Sequence, residues 1–280
     1  MKKNILKPSF LIIGGVKCAS SSLYRYLNDH PQVLPCQVKE PGYFNFTNPL
    51  VLLKKYKSYI NKFPDLNQAK TIGDWIELES DGSLSESKFE KTIDQDIDYI
   101  TGEATATTMV RANPRWVKRI LPNVKIIALV RNPTDRFISH YQMIKRFDEA
   151  GREGNDIGSI EDFTTHELKK YQNNQQTRIL ADGFYAEHLL KWRRVFNQDL
   201  MVIPSIKLEG DDGVDTMDGL TQYLNLPNHD FSDILQQRFN KNRTTKPTNY
   251  NTRDKLNDIY HNHNVALKEE FGIDYLTDHN

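Results

Sequence analysis

The stretch FLIIGGVKCASSSLY, residues 10–24, decides how the rest of the chain is read. Phe10 to Ile13 is apolar at every position, the pattern of a central parallel strand covered on both faces. Gly14 and Gly15 follow, then Lys17, the small residues Cys18 and Ala19, and three serines, Ser20, Ser21 and Ser22. In LYRYLNDHP, Leu23, Tyr26 and Leu27 fall at helical spacing, and Pro31 marks the end. A strand that turns tightly into a helix aims backbone N–H groups and the positive end of the helix dipole at one point. Lys17 adds a full charge, the serines add hydroxyl donors, and Cys18 and Ala19 let the backbone come close. The turn suits a phosphate-like group. Serines at a helix start also serve as ordinary N-caps, so by themselves they do not require a ligand. The loop is not a Walker A motif, whose lysine stands immediately before Ser or Thr.

Working outward, KIIALV (125–130) and LMVIP (200–204) repeat the buried-strand pattern, and DYITGEA (98–104) is a weaker instance. Helical stretches follow from about Thr134 to Arg146 and in YAEHLLKWRRVF. Buried strands alternating with helices predict an α/β fold with a central, mainly parallel sheet flanked by helices. No repeat or linker divides residues 1–280, which are read as a single domain. Residues 45–97 and 147–175 are polar and read as insertions or mobile loops. Within the first, a helix is expected near 49–62 and another over 86–97, leading back to the sheet.

A second anion signal lies at the next strand end. Arg131 directly follows KIIALV, and Ser139 lies within the helix after it. Ligands of open α/β sheets bind at carboxyl ends of strands, and arginine makes bidentate phosphate contacts there. The competing reading pairs Arg131 with Asp135 as scaffold. Two anion sites at neighbouring strand ends suit a nucleotide with phosphates at both its 5′ and 3′ positions. Lys+Arg and Asp+Glu both number 37, so the net charge is zero and any anion site is local. A nucleic-acid partner, which would call for a basic domain, is not expected. The two cysteines, Cys18 and Cys36, read as reduced thiols of a cytoplasmic protein. No residues have metal-ligand spacing, so no metal is expected. No stretch approaches the roughly 20 apolar residues of a membrane span, and the first residues are not expected to form a signal peptide.

These residues resemble the sulfotransferases that use 3′-phosphoadenosine 5′-phosphosulfate (PAPS). The family's first loop, K-x-G-[ST]-[ST], is matched by Lys17-Cys18-Ala19-Ser20-Ser21-Ser22, with Ala19 where glycine is common. Its second motif, R-[ND]-P-x-[DE]-R followed by a serine, is matched by Arg131-Asn132-Pro133-Thr134-Asp135-Arg136 and Ser139. VKEPGYFNF (38–46) is similar to the family's K-E-P-x-x-F segment, and GEATATT (102–108) to its G-E-x-[ST]-P-x-Y segment. The resemblance spans nearly the whole chain and implies the P-loop-like sulfotransferase fold.

It further implies in-line transfer of a sulfuryl group from PAPS to a hydroxyl or amine of a saccharide or small-molecule acceptor. The product would be 3′,5′-ADP, and no metal is needed. Residues Lys17 to Ser22 would hold the 5′-phosphosulfate, with Lys17 neutralising the leaving oxygen. Arg131 and Ser139 would take the 3′-phosphate, with Lys241 and Arg243 of the late basic loop FNKNRTTKP closing over it. Glu40 is the expected base and Glu103 the second candidate. Lys39, Tyr43 and Phe44 are expected at the acceptor, with Phe46 and Trp75 as further aromatics. The Cys18 thiol, beside positive charge, is expected to be reactive. A P-loop kinase-like phosphotransferase dependent on Mg²⁺, and a nucleotide-binding relative without catalysis, stay open as alternatives.

Overall fold

The computed structural model describes residues 3–78, 84–149, 151, 157–237 and 250–276. In chain order the strands are β1 (Phe10–Ile12), β2 (Val33–Leu34), β3 (Lys70–Leu78), β4 (Leu84–Thr92), β5 (Ile100–Ala104), β6 (Lys125–Val130) and β7 (Leu200–Pro204). The helices are α1 (Ser20–Asp29), α2 (Pro49–Ile60), α3 (Thr108–Arg111), α4 (Pro114–Ile120) and α5 (Pro133–Glu149). After them come α6 (Ile160–Gln172), α7 (Tyr185–Phe196), α8 (Asp211–Leu224), α9 (Ser232–Leu235) and α10 (Tyr250–Phe271).

Five strands form one parallel sheet in the order β2-β5-β1-β6-β7. The apolar run at Phe10 takes the central place, buried by neighbours on both sides. Parallel strands all release their chains at one edge. That edge therefore receives the loop carrying Lys17 from β1, residues 35–42 from β2, Thr105 from β5 and Arg131 from β6. The sheet is the expected mostly parallel one, with helices around it.

Two glycines set how closely the central strands approach. A Cβ on Gly14 would lie 2.6 Å from the Leu129 Cβ, and one on Gly102 would lie 2.5 Å from the Phe10 ring and carbonyl oxygen. The N–H of Gly15 donates to the Leu129 carbonyl at 2.9 Å, so pairing with β6 continues past the end of β1. A second apolar cluster, including Phe137, Tyr141, Phe163, Leu180, Phe184 and Tyr260, joins α5, α6 and α10.

Two expectations are corrected. Residues 84–92 form a strand rather than the start of a helix over 86–97, and they pair antiparallel with β3, Gly73 opposite Phe89. The segment is ordered by pairing with the strand just before it in the sequence. Phe89 packs toward Trp75, and on the same side Lys91 Nζ donates to the His30 and Val33 carbonyls at 2.7 and 2.9 Å. The polar 147–175 segment also contains a regular helix, α6, capped by Ser159, whose hydroxyl accepts the Asp162 N–H. Its buried Glu167 carboxylate accepts the backbone N–H groups of Arg178, Ile179 and Leu180 at 2.9, 2.8 and 2.9 Å. Helix α2 matches the one expected near 49–62. Among the described residues no helix is long and apolar enough to cross a membrane.

Gly102→Ala forces Phe10 away from β5, and overpacking of this kind costs about 1–3 kcal/mol. Urea denaturation should show the midpoint falling with the slope unchanged; a wild-type midpoint would contradict the close approach.

Candidate active site

The loop after β1 is wound tightly. Lys17 and Ala19 have φ of 72° and 65°, in the left-handed region, where a side chain costs about 1–2 kcal/mol. The Cys18 N–H bonds to the Gly15 carbonyl at 3.1 Å and the Leu23 N–H to the Ala19 carbonyl at 3.0 Å, which holds the turn. Ala19 occupies the N-cap of α1, and no side chain caps that end. The serines of the first turn therefore do not act as its cap, and the first-turn N–H groups stay available. Ser20 and Ser22 are buried. Cys18 is buried too, with Sγ 3.4 Å from the Tyr185 hydroxyl. Burial pushes its thiol up, so the expected reactivity is corrected: positive charge nearby does not offset the loss of water.

The segment after β6 divides its labour. Asn132 Oδ1 accepts the N–H groups of Thr134 and Asp135 at 3.0 and 3.3 Å, capping α5. Asp135 pairs with Arg253 of α10 at 2.8 Å, not with Arg131. Arg136 is fully buried, donating to the Ile179 carbonyl at 2.6 Å. Arg131 is left facing the loop, its Nη1 3.5 Å from the Lys17 carbonyl oxygen. Ser139 is buried farther along α5.

Arg146, seven residues beyond Ser139, belongs to the same positive field. Its Nε is buried with no hydrogen-bond partner. The Lys17 ammonium is held down to about 8 by burial, then by the charges of Arg146, Arg131 and Lys39. His140 is held down to about 3 by burial, then by Arg136, Lys17 and Arg178, so it stays neutral. Two titrating groups on separate elements thus respond to one field. Among the described residues no carboxylate pairs with Lys17, Arg131 or Arg146. Unpaired cations, an orphaned guanidinium N–H and an uncapped helix N-terminus fit a phosphate or sulfate group. Arg146 has no counterpart among the sequence expectations. The signal was its spacing, two helical turns from Ser139 on one face.

Residues 35–46 form the opposite wall. Glu40 is exposed, with φ 48°, and the atoms crowding it hold its carboxyl above the usual carboxylate range, Lys39 opposing. The Lys39 ammonium lies 5.8 Å from the Trp75 ring centroid. Tyr43, Phe44 and Trp75 do not line an open surface. Tyr43 stacks on Tyr59 at 4.2 Å and donates to the Leu52 carbonyl at 2.6 Å. Phe44 packs edge-on to Tyr59, and Trp75 stacks on Tyr24 at 5.0 Å. Of the four aromatics, Phe46 alone is exposed. Glu103, the second candidate, lies in the interior rather than at the rim. It is 2 % exposed, and its oxygens accept from the Tyr59 and Thr105 hydroxyls at 2.9 and 2.5 Å. Burial pushes its carboxyl up to about 7. Lys241 and Arg243 lie outside the described residues. Among those described, no group of three or more His, Cys, Asp or Glu is placed to hold a metal ion.

An α/β protein with a cluster of cations at the carboxyl edge of its central strand is the class that fold and site define. Residues 8–190 match the model of the sulfotransferase family. The chain belongs to that family. It is 26% identical over 289 residues to the mouse (Mus musculus) bifunctional heparan sulfate N-deacetylase/N-sulfotransferase 4, covering 94% of this chain and 30% of that protein. It is 23% identical over 312 residues to human (Homo sapiens) carbohydrate sulfotransferase 15, covering 94% of this chain and 53% of that protein. The chain thus spans about a third to a half of the length of these curated relatives. The crystal structure of a sulfotransferase from Alicyclobacillus acidocaldarius shares the fold, with TM-score 0.65, 19% identity and coverage of 96% of this chain and 98% of that one.

Lys17 must be protonated to hold an anion. With its free-state value near 8, affinity for 3′,5′-ADP should be flat below pH 8 and weaken above it, by up to about tenfold per pH unit. The phosphates, with a second pKa of about 6, are essentially dianionic from about pH 7.5 upward, so the comparison is read there. Arg146→Ala removes a repelling charge, raises the Lys17 value and moves the onset of weakening to higher pH. Calorimetric titration from pH 6.5 to 9.5 checks this; affinity independent of pH would show that Lys17 does not bear on the anion.

Proposed function

We propose that the chain acts as one unit that uses PAPS as sulfuryl donor and a saccharide hydroxyl or amine as acceptor. The observation that carries this is the cluster of Lys17, Arg131 and Arg146, without a carboxylate partner among the described residues, around an uncapped helix N-terminus. The names of the relatives support a saccharide acceptor. The donor supplies an activated sulfuryl group. The loop from Lys17 to Ser22 holds its 5′ end, and Lys17 offsets the charge that grows on the leaving oxygen. Arg131 and Ser139 hold the 3′-phosphate, so the nucleotide lies across the ends of β1 and β6. Glu40 faces solvent at the rim and accepts the proton that the acceptor loses as the new bond to sulfur forms. Its raised pKa brings it nearer to neutral pH, which suits a general base. A kinase-like reading is not favoured, because the loop lacks the Walker A order of lysine and hydroxyl residue.

Calorimetry with 3′,5′-ADP, 5′-AMP and ATP plus Mg²⁺ separates the readings. Tight binding of 3′,5′-ADP alone, weakened at least about tenfold by Lys17→Ala and by Arg131→Ala, is expected from the loss of charge-assisted hydrogen bonds. Preference for ATP with Mg²⁺ overturns the donor assignment. Transfer of labelled sulfate from PAPS is then measured on de-N-sulfated heparan sulfate, which offers an amine, and on chondroitin, which offers hydroxyls. Glu40→Gln should lower kcat by about 10²–10⁴-fold and leave 3′,5′-ADP binding intact; retained turnover would remove Glu40 as the base.

A further inference from the structure

Behind the turn that carries Glu40 runs a buried chain of polar groups for which the reaction above has no use. At its centre is Glu103 on β5. One carboxylate oxygen accepts from the Tyr59 hydroxyl and the other from the Thr105 hydroxyl. Thr105 is buried at the end of β5, and its Oγ1 in turn accepts the N–H of Gly42 at 3.3 Å. A threonine hydroxyl has one proton. That proton goes to Glu103, and a lone pair of the same oxygen accepts from the Gly42 N–H, so one hydroxyl bridges the carboxylate and the turn.

The segment held this way is strained. Glu40 and Gly42 both sit at positive φ, 48° and 63°, on either side of Pro41. A non-glycine residue stays in that region only when its surroundings over-determine it. The same carboxylate reaches the turn by a second route. Tyr59, which donates to Glu103, stacks on Tyr43, the residue after Gly42. A third tie, from Asn45 Nδ2 to Thr107 Oγ1 at 2.8 Å, fastens the following residues to the segment after β5. The wall bearing Glu40 is thereby pinned to β5, the neighbour of the strand that leads to Lys17.

We propose that Glu103 is a positioning residue: through Thr105 and Tyr59 it fixes the turn at 40–42 and so the aim of the Glu40 carboxylate across from the donor loop. Glu103 itself touches no substrate. The inference rests on the reading of Glu40 as the base, and its test is built to fail separately from that reading.

The full chain is compared as wild type, Thr105→Val, Thr105→Ser, Glu103→Gln and Glu40→Gln. Thr105→Val keeps the volume and removes the hydroxyl. Three quantities are read: kcat and KM for PAPS on whichever of the two glycans supports transfer, 3′,5′-ADP affinity, and deuterium uptake in the peptide covering 40–46. Thr105→Val and Glu103→Gln should lower kcat on the order of tenfold to hundredfold, the effect of a small misplacement. KM for PAPS and 3′,5′-ADP affinity should stay within about twofold of wild type, because the donor loop does not depend on the tie. Uptake at 40–46 should rise, and Thr105→Ser should restore most of both kcat and protection. Wild-type uptake in Thr105→Val overturns the proposal whether or not turnover is detected. So does a kcat loss that serine fails to restore, or one accompanied by an equal loss of 3′,5′-ADP affinity. If Glu40→Gln keeps its activity, the base assignment fails, and uptake alone then decides whether the tie exists.

Discussion

The N–H groups of Ile13 and Gly15 donate to the carbonyls of Ile127 and Leu129, both at 2.9 Å. These two bonds carry the β1–β6 pairing beyond the sheet proper, and the site depends on them. They press the start of the Lys17 loop against the end of β6, where Arg131 emerges. A side chain at Gly14 would strike Leu129 and open the seam. With the seam closed, the Lys17 carbonyl comes within 3.5 Å of the Arg131 guanidinium, and two residues of the loop are forced into left-handed backbone. Parallel pairing does the rest, since it delivers the chain ends of β2 and β5 to the same edge.

The segment Arg131 to Arg136 shows how a short motif serves two purposes. Asn132 caps α5, Asp135 ties that helix to α10 through Arg253, and Arg136 is buried against the Ile179 carbonyl and the Tyr260 hydroxyl. Those residues build scaffold. Because Asp135 is engaged elsewhere, Arg131 keeps its charge for the loop. Glu167 completes the support, since its carboxylate gathers three backbone N–H groups at 178–180, next to the carbonyl that Arg136 uses.

The parts legible in the sequence are those whose signal is local. Phe10 to Ile13 and KIIALV are buried on both faces and read as strands without knowledge of their neighbours. The donor loop declares itself by residue type, and α7 by its apolar period. What escaped depends on pairings and contacts that residue type and period do not reveal. Residues 84–92 become a strand because β3 lies beside them. Helix α6 hides its inner face, since Glu167 stands where an apolar residue would mark it. Tyr43 and Phe44 are apolar enough for either core or cleft, and only the position of Tyr59 decides between them. Glu103 resembles any charged residue at a strand end until its two hydroxyl donors are known. Arg146 shares a helix face with Ser139, yet only the fold shows that this face looks toward Lys17.

The cations around Lys17 have a consequence for the lifetime of the protein. Like charges gathered with no carboxylate partner among the described residues repel, and that repulsion adds to burial in lowering the Lys17 value. That repulsion works against the folded state when no anion is bound. Any dianion that binds there stabilises the folded state by an amount that grows with the logarithm of its concentration. Modest changes in stability alter the abundance of proteins in cells several-fold, so an anion held at this cluster would bear on how long the folded chain persists.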